Sequence, residues 1–272
     1  MQFKTTFFLF FLLLLPLGLY AYIDDDMDGV EDKDDSCLYT PFMDIVDNKG
    51  CSIESLLPSY HFDLIAGVSY SETDYNTLSK VDTITTTLQL NYYYKKIILS
   101  LSSSYYNNYG DDYRASGMND TYLGLEYILF DEELYMSLGG GVVLPTYEDY
   151  FGSNKTDYRV NLNLGYTMQN INLFTTFGHS FINDEDVINE LYYQDSNYFS
   201  LGAGYFFSHK LYTSLSYSES DSIYRDIEKI RTASLYGFYS LNSRSFLNLT
   251  YAHGLSDSAS DNYLSLSIGY KF

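Results

Sequence analysis

Seven aspartates crowd the stretch DDDMDGVEDKDDSC, Asp24 to Cys37. With Asp24 as position 1, Asp26 is 3, Asp28 is 5, Gly29 is 6, Val30 is 7, Asp32 is 9 and Asp35 is 12. Calcium is a hard cation that takes oxygen ligands. Loops of the helix–loop–helix type place them at 1, 3, 5, 7, 9 and 12, with glycine at the sharp turn at 6. Position 7 contributes a backbone carbonyl, so Val30 is no obstacle. The spacing therefore predicts Ca2+ held by Asp24, Asp26, Asp28, Val30, Asp32 and Asp35. Position 12 is Asp rather than Glu, and its shorter reach implies a different loop geometry. The competing reading is a disordered acidic linker, in which the carboxylates would simply repel. Asp44 and Asp47 stand where a second, partial ligand set could form.

The cysteine and the residues beyond it add to the pattern. The spacing D-x-D-x-D-G-x-x-D-x-x-D-x-C, complete from Asp24 to Cys37, resembles the thrombospondin type 3 repeat. The next residues, LYTPFMDIVDNKGC, resemble the tail of such repeats in outer-membrane-protein-A-like proteins. That resemblance implies a calcium-stabilised periplasmic spacer carrying a disulfide. It covers Asp24 to Cys51 only. Here the repeat precedes the larger part of the chain and no peptidoglycan-binding domain comes after it, so anchoring to the cell wall is not implied. The two cysteines, Cys37 and Cys51, form an even, close pair, as expected of a disulfide in an exported protein.

Export is itself legible. Residues 1–21 carry Lys4, an apolar core from Phe7 to Leu19, and a small residue, Ala21, at a plausible cleavage point. The apolar run is too short to span a bilayer and is followed at once by acid, which reads as a signal peptide. The formal net charge is −21 and no Lys/Arg cluster is present, which argues against nucleic acid as a partner.

From about His61 to Phe272 one pattern repeats. In TITTTLQLNY, Ile84, Thr86, Leu88, Leu90 and Tyr92 alternate with Thr83, Thr85, Thr87, Gln89 and Asn91. Period 2 gives one apolar and one polar face. The motif recurs in about twelve segments, joined by alternately short and long connections, the layout of an outer-membrane β-barrel. The long connections are polar and mostly acidic. Only a closed barrel satisfies every backbone group in lipid without helices. The rival, a soluble β-sandwich, would need bulky aliphatics on its inner face, and here that face is Ser, Thr, Asn and Gly. The final YLSLSIGYKF, with Phe272 in phase with Leu264, Leu266, Ile268 and Tyr270, resembles the C-terminal strand of bacterial outer-membrane barrels. That resemblance implies recognition by the barrel assembly machinery. The closing hairpin also resembles, weakly, transporter barrels linked to degradation of aromatic compounds.

The expected architecture is all-β: a twelve-stranded antiparallel transmembrane barrel over 58–272, a calcium-binding periplasmic repeat over 22–57 and a signal peptide over 1–21. Glu126, Asp157, Arg159 and Arg231 are the expected ionisable residues of the lumen. There they would tune solute selectivity, whereas in lipid they would be costly. His179 beside Ser180, and His253 with Ser256, could suggest a lipid-hydrolysing dyad. Both histidines fall on the outward phase, where an interfacial His meeting headgroups is the plainer reading. The function expected is a passive channel for small solutes in the Gram-negative outer membrane, with outer-membrane lipids as surroundings. The alternatives are a structural or surface-interaction protein and a lipid-modifying enzyme.

Overall fold

The computed structural model describes residues 24–41, 44–55, 60–74, 80–110, 114–147, 155–184 and 192–272. The expected signal peptide lies outside them. The chain divides into two compact units, 1–58 and 59–272.

The first unit holds a small antiparallel hairpin, β1 (Asp44–Val46) with β2 (Ser52–Ser55). The Cys37–Cys51 disulfide ties the aspartate-rich stretch to it. Asp47 turns the hairpin, its Oδ1 accepting from the backbone N–H groups of Lys49 (2.8 Å) and Cys51 (3.0 Å). Those two bonds hold its carboxyl below the ordinary range.

The second unit is a closed antiparallel barrel. Its strands are β3 (Tyr60–Thr73), β4 (Val81–Tyr94), β5 (Ile97–Gly110), β6 (Arg114–Met118), β7 (Thr121–Asp131), β8 (Leu134–Leu144), β9 (Asp157–Met168) and β10 (Ile171–Phe181), then β11 (Ser196–Phe206), β12 (Leu211–Ser220), β13 (Ile230–Ser240), β14 (Ser245–Gly254) and β15 (Asn262–Lys271). Both β6 and β7 pair with β5 and act as one interrupted strand, so the ring has twelve. It closes where β15 pairs with β3, from Asn262↔Glu72 to Lys271↔Asp63.

The burial pattern is inverted relative to a soluble protein. Leu215 is 66% exposed while its neighbour Ser214 is 7% exposed, and the largest fully buried side chain is that of Ser137. Leu, Ile, Val and Tyr stand outward along most barrel strands, and the inward side is mainly small polar residues and glycine with some aromatic rings. An apolar solvent outside makes that arrangement favourable, which is how transmembrane barrels are built. No helix among the described residues is long and apolar enough to cross a membrane.

One end of the barrel carries tight turns. Lys95 (φ 52°) and Gln169 (φ 53°) adopt left-handed backbone and reverse the chain within two residues. The other end carries the long connections. One of these is mostly not a loop: residues 107–110 and 114–118 continue β5 and β6 as paired strand.

Candidate functional site

Lumen and long-loop mouth form the site in the barrel. Inward side chains lock to one another along the wall rather than across it. Thr176 donates to Asn163 Oδ1 and Asn163 Nδ2 to Ser137 Oγ, each at 3.0 Å, so one chain of bonds crosses β10, β9 and β8. The Tyr212 hydroxyl donates to Asn172 (3.1 Å) and that of Tyr236 to Asn248 (2.9 Å). Inward aromatic rings lie flat on glycines. Phe174 covers Gly202, Tyr212 covers Gly204, Phe246 covers Gly269, and Tyr122 covers both Gly124 and Gly141. A side chain at any of these glycines would meet the ring, so the rings occupy space at the wall that a β-carbon would need.

The mouth is partly roofed. Three long connections meet there. The rings of Tyr193 and Tyr224 pack 5.2 Å apart, Arg225 Nε donates to the Tyr193 carbonyl (3.0 Å), and Gln194 Nε2 donates to the Ser222 carbonyl (3.0 Å). Ser258 Oγ donates to the Lys229 carbonyl at 2.9 Å. Burial of Tyr193 pushes its phenol up to about 12. Asp221 anchors the roof to the rim. It accepts from the Asn197 side-chain amide (2.8 Å) and backbone N–H (3.2 Å), with Lys229 at 3.5 Å. These partners, the Asn197 amide first, hold its carboxyl below the ordinary range.

Between roof and wall is a cavity of about 1010 Å³. Ile182, Ile223, Ile227, Ile230 and Tyr198 give it an apolar lining, and Arg159 its cation. Arg159 is held against the wall, its guanidinium 5.9 Å from the centre of the Tyr122 ring.

The structure places Glu126, Asp157 and Arg159 on the inward face. Glu126 accepts from the Tyr135 hydroxyl at 2.7 Å. Asp157 is buried at the rim and accepts from the backbone N–H of Asn183 at 2.7 Å. Arg231 is a correction. It stands in phase with Ala233 and Leu235, on the outward face, directly opposite Glu219, to which its Nε bonds at 3.2 Å. Tyr236 and Phe238 put apolar groups on the inward side of β13 too, so alternation alone assigns this strand poorly. An arginine at a strand end can keep its charge at the interface, paired, without entering the lumen.

His179 stands outward and Ser180 inward, so the two cannot act as a dyad. His179 Nδ1 bonds Asn197 (3.0 Å) and its ring packs edge-on against Phe181 (4.5 Å). His253 also stands outward, and Ser256 Oγ accepts from the backbone N–H of Arg231.

In the N-terminal unit, Asp24, Asp26 and Asp28 bring carboxylate oxygens within 4.8 Å of one another. Asp24 Oδ1, Asp28 Oδ2 and Asp35 Oδ2 are buried with no hydrogen-bond partner. Their other oxygens or near neighbours shape the loop: Gly29 N–H bonds Asp24 (3.0 Å), Val30 N–H bonds Asp28 (2.8 Å) and Thr40 N–H bonds Asp26 (2.8 Å). Asp35 and Asp28 both reach the space a β-carbon on Gly50 (φ +75°) would fill. Asp32 gives one oxygen to the N–H of Asp25 (2.8 Å). Burial of Asp26, with the charges of Asp28 and Asp35 nearby, raises its carboxyl despite the bond from Thr40. Buried carboxylate oxygens without donors are what a hard cation would satisfy, so the residues fit Ca2+.

No protein-family profile matches the chain, and no curated protein matches it in sequence. Solved structures do match in fold. An outer-membrane channel from Pseudomonas putida F1 superposes with a TM-score of 0.67 at 14% identity, over 79% of this chain and 97% of that one. The NanC porin gives 0.53 at 11% identity, over 78% and 100%. The translocator domain of the autotransporter NalP from Neisseria meningitidis gives 0.52 at 7% identity, over 79% and 89%. At such identities the likeness is one of fold, and that fold is the closed twelve-stranded barrel of the outer-membrane type.

Proposed function

We propose that the chain is an outer-membrane channel for passive movement of small solutes. The observation that carries this is the cavity of about 1010 Å³ at the long-loop end, which lies among inward-facing residues of six strands and the loops above them. Its apolar lining suits solutes with an apolar portion, and Arg159, Asp221, Glu228 and Asp257 offer charged contacts. The rings laid on glycines support the reading, because a ring seated against the wall takes up less of the lumen. The similar folds of an outer-membrane channel and a porin agree with it. By the convention of such barrels the long loops face outside and the tight turns face the periplasm. The purified chain in planar bilayers is expected to conduct. Absence of conductance, with the barrel folded, would favour a surface-interaction role for the acidic loops instead.

We propose further that the N-terminal unit is a periplasmic Ca2+-binding repeat, with Asp24, Asp26 and Asp28 as principal ligands and Asp35 beside them. Three buried, unpartnered carboxylate oxygens support it. Bound there, the cation would neutralise a cluster that otherwise repels itself. Calorimetric titration of the full chain with CaCl2 tests this, and no binding in the millimolar range would refute it.

A further inference from the structure

One carboxylate of the barrel lies buried with an oxygen that has no partner. Asp63, near the short-turn end of β3, is 6% exposed, and its Oδ1 has no hydrogen-bond partner. It faces inward, between the outward Phe62 and Leu64. An ionised carboxylate withdrawn from water is costly unless something positive or a donor meets it.

Among the described residues, the cation directly across from Asp63 is directed elsewhere. Lys271 is the cross-strand neighbour of Asp63 on β15, but its ammonium sits 5.8 Å from the centre of the Phe246 ring, and no ion pair joins it to Asp63. Two uncharged polar side chains lie beside Asp63. Asn91, directly opposite on β4 and also 6% exposed, has its Oδ1 oriented by Gln89 Nε2 at 3.0 Å. The Tyr93 phenol hydrogen-bonds both Asp63 and Asn91 and lies in the field of Glu126, which leaves Asp63 Oδ1 as the unpartnered oxygen. Stacking of His61 on Tyr93, with centroids 4.3 Å apart, steadies that phenol. A carboxylate, a side-chain amide and a phenol therefore stand together, with the charge of a second carboxylate felt by the phenol.

We propose that Asp63, Asn91 and Tyr93 form a cation site in the lumen near the short-turn end. Its ligand is a small inorganic cation or the ammonium group of a solute. Oxygen ligands and net negative charge suit either. The site as such does not depend on conduction. Its consequence, preference for cations at this end of the lumen, rests on the channel reading.

Two measurements on the full-length chain separate these. In planar bilayers under a KCl gradient, the wild type should show a cation-selective reversal potential. Asp63→Asn should move it toward zero, and Asp63→Glu should keep it. Block of the K+ current by tetramethylammonium but not by CaCl2 would identify an ammonium group as the ligand, and the reverse an inorganic ion. An unchanged reversal potential in Asp63→Asn overturns the proposal. In detergent, terbium luminescence excited through tyrosine reads binding directly, with the N-terminal cluster silenced by Asp24→Asn and Asp28→Asn. The remaining signal should be lost in Asp63→Asn and weakened in Asn91→Leu, each checked for folding by heat-modifiable migration. If the wild type does not conduct, the channel reading falls and terbium alone decides the site. A signal indifferent to both substitutions overturns it.

Discussion

Phe174 and Gly202 face each other across β10 and β11, and the ring lies on the glycine where a side chain would otherwise begin. A β-carbon at 202 must displace the ring toward the lumen axis or strain the wall. Gly202→Ala is expected to lower single-channel conductance. It should also destabilise the barrel by about 1–3 kcal/mol, the usual range for overpacking, read by urea unfolding in detergent. The double variant Gly202→Ala with Phe174→Ala should recover conductance.

Arg225 joins two loops through the Tyr193 carbonyl and also lies over the Tyr192 ring, 5.9 Å from its centre. Arg225→Ala should free the segments around 192–195 and 221–229. Faster cleavage there by trypsin or chymotrypsin on intact vesicles, with the barrel band unchanged, is the expected result.

Asp221 gives the roof a pH dependence of definite sign. Its carboxyl titrates below the ordinary 3.8, chiefly because the Asn197 amide bonds the charged form. A depressed folded-state value means that this stabilisation is fully present above the ordinary pKa and is lost as pH falls through the lower one. Between pH 5 and 8 the roof should not respond to pH through this group (an order-of-magnitude window for surface carboxylates). Pepsin cleavage of the 221–229 segment should rise steeply only at the acid end, and Asp221→Asn should flatten that rise.

Reducing the disulfide should loosen the N-terminal unit. Closing a loop of this length contributes about 3 kcal/mol in the chain-entropy account. Cys37→Ser with Cys51→Ser should therefore weaken Ca2+ affinity, because the disulfide helps hold Asp35 near Asp28 through Gly50. Calorimetry on the full chain with and without reductant measures it, and equal affinities would show that the aspartate loop is ordered without the bridge.

How much of the molecule could be read from residues alone depends on which solvent a residue meets. Each barrel strand separates lipid from lumen, so β4 or β15 announces itself by alternation. The failure at Arg231 came where both faces carry aromatics, and there only pairing with Glu219 fixes the phase. The paired extension of β5 and β6 was hidden by its loop-like composition, Asn, Gly, Arg and Ser. The mouth cavity was not legible, because Ile182, Ile223 and Ile227 come together only through the folding of separate loops. Asp63 did leave a signal: an acid between two outward apolar residues of a strand must point to the lumen. The aspartate spacing at 24–35 was legible from ligand geometry, which is local in sequence.

The pairing of β15 with β3 has a consequence for how the molecule comes into being. Lys271 meets Asp63 across roughly two hundred residues of chain, a separation whose closure entropy is met by no earlier contact of similar span. Until the final strand arrives, the sheet has two raw margins, each a row of unpaired amides and carbonyls that lipid cannot satisfy. A chain shortened by its last ten residues should therefore fail outright instead of yielding a slightly weaker barrel. The seam is the single place where assembly is all or nothing.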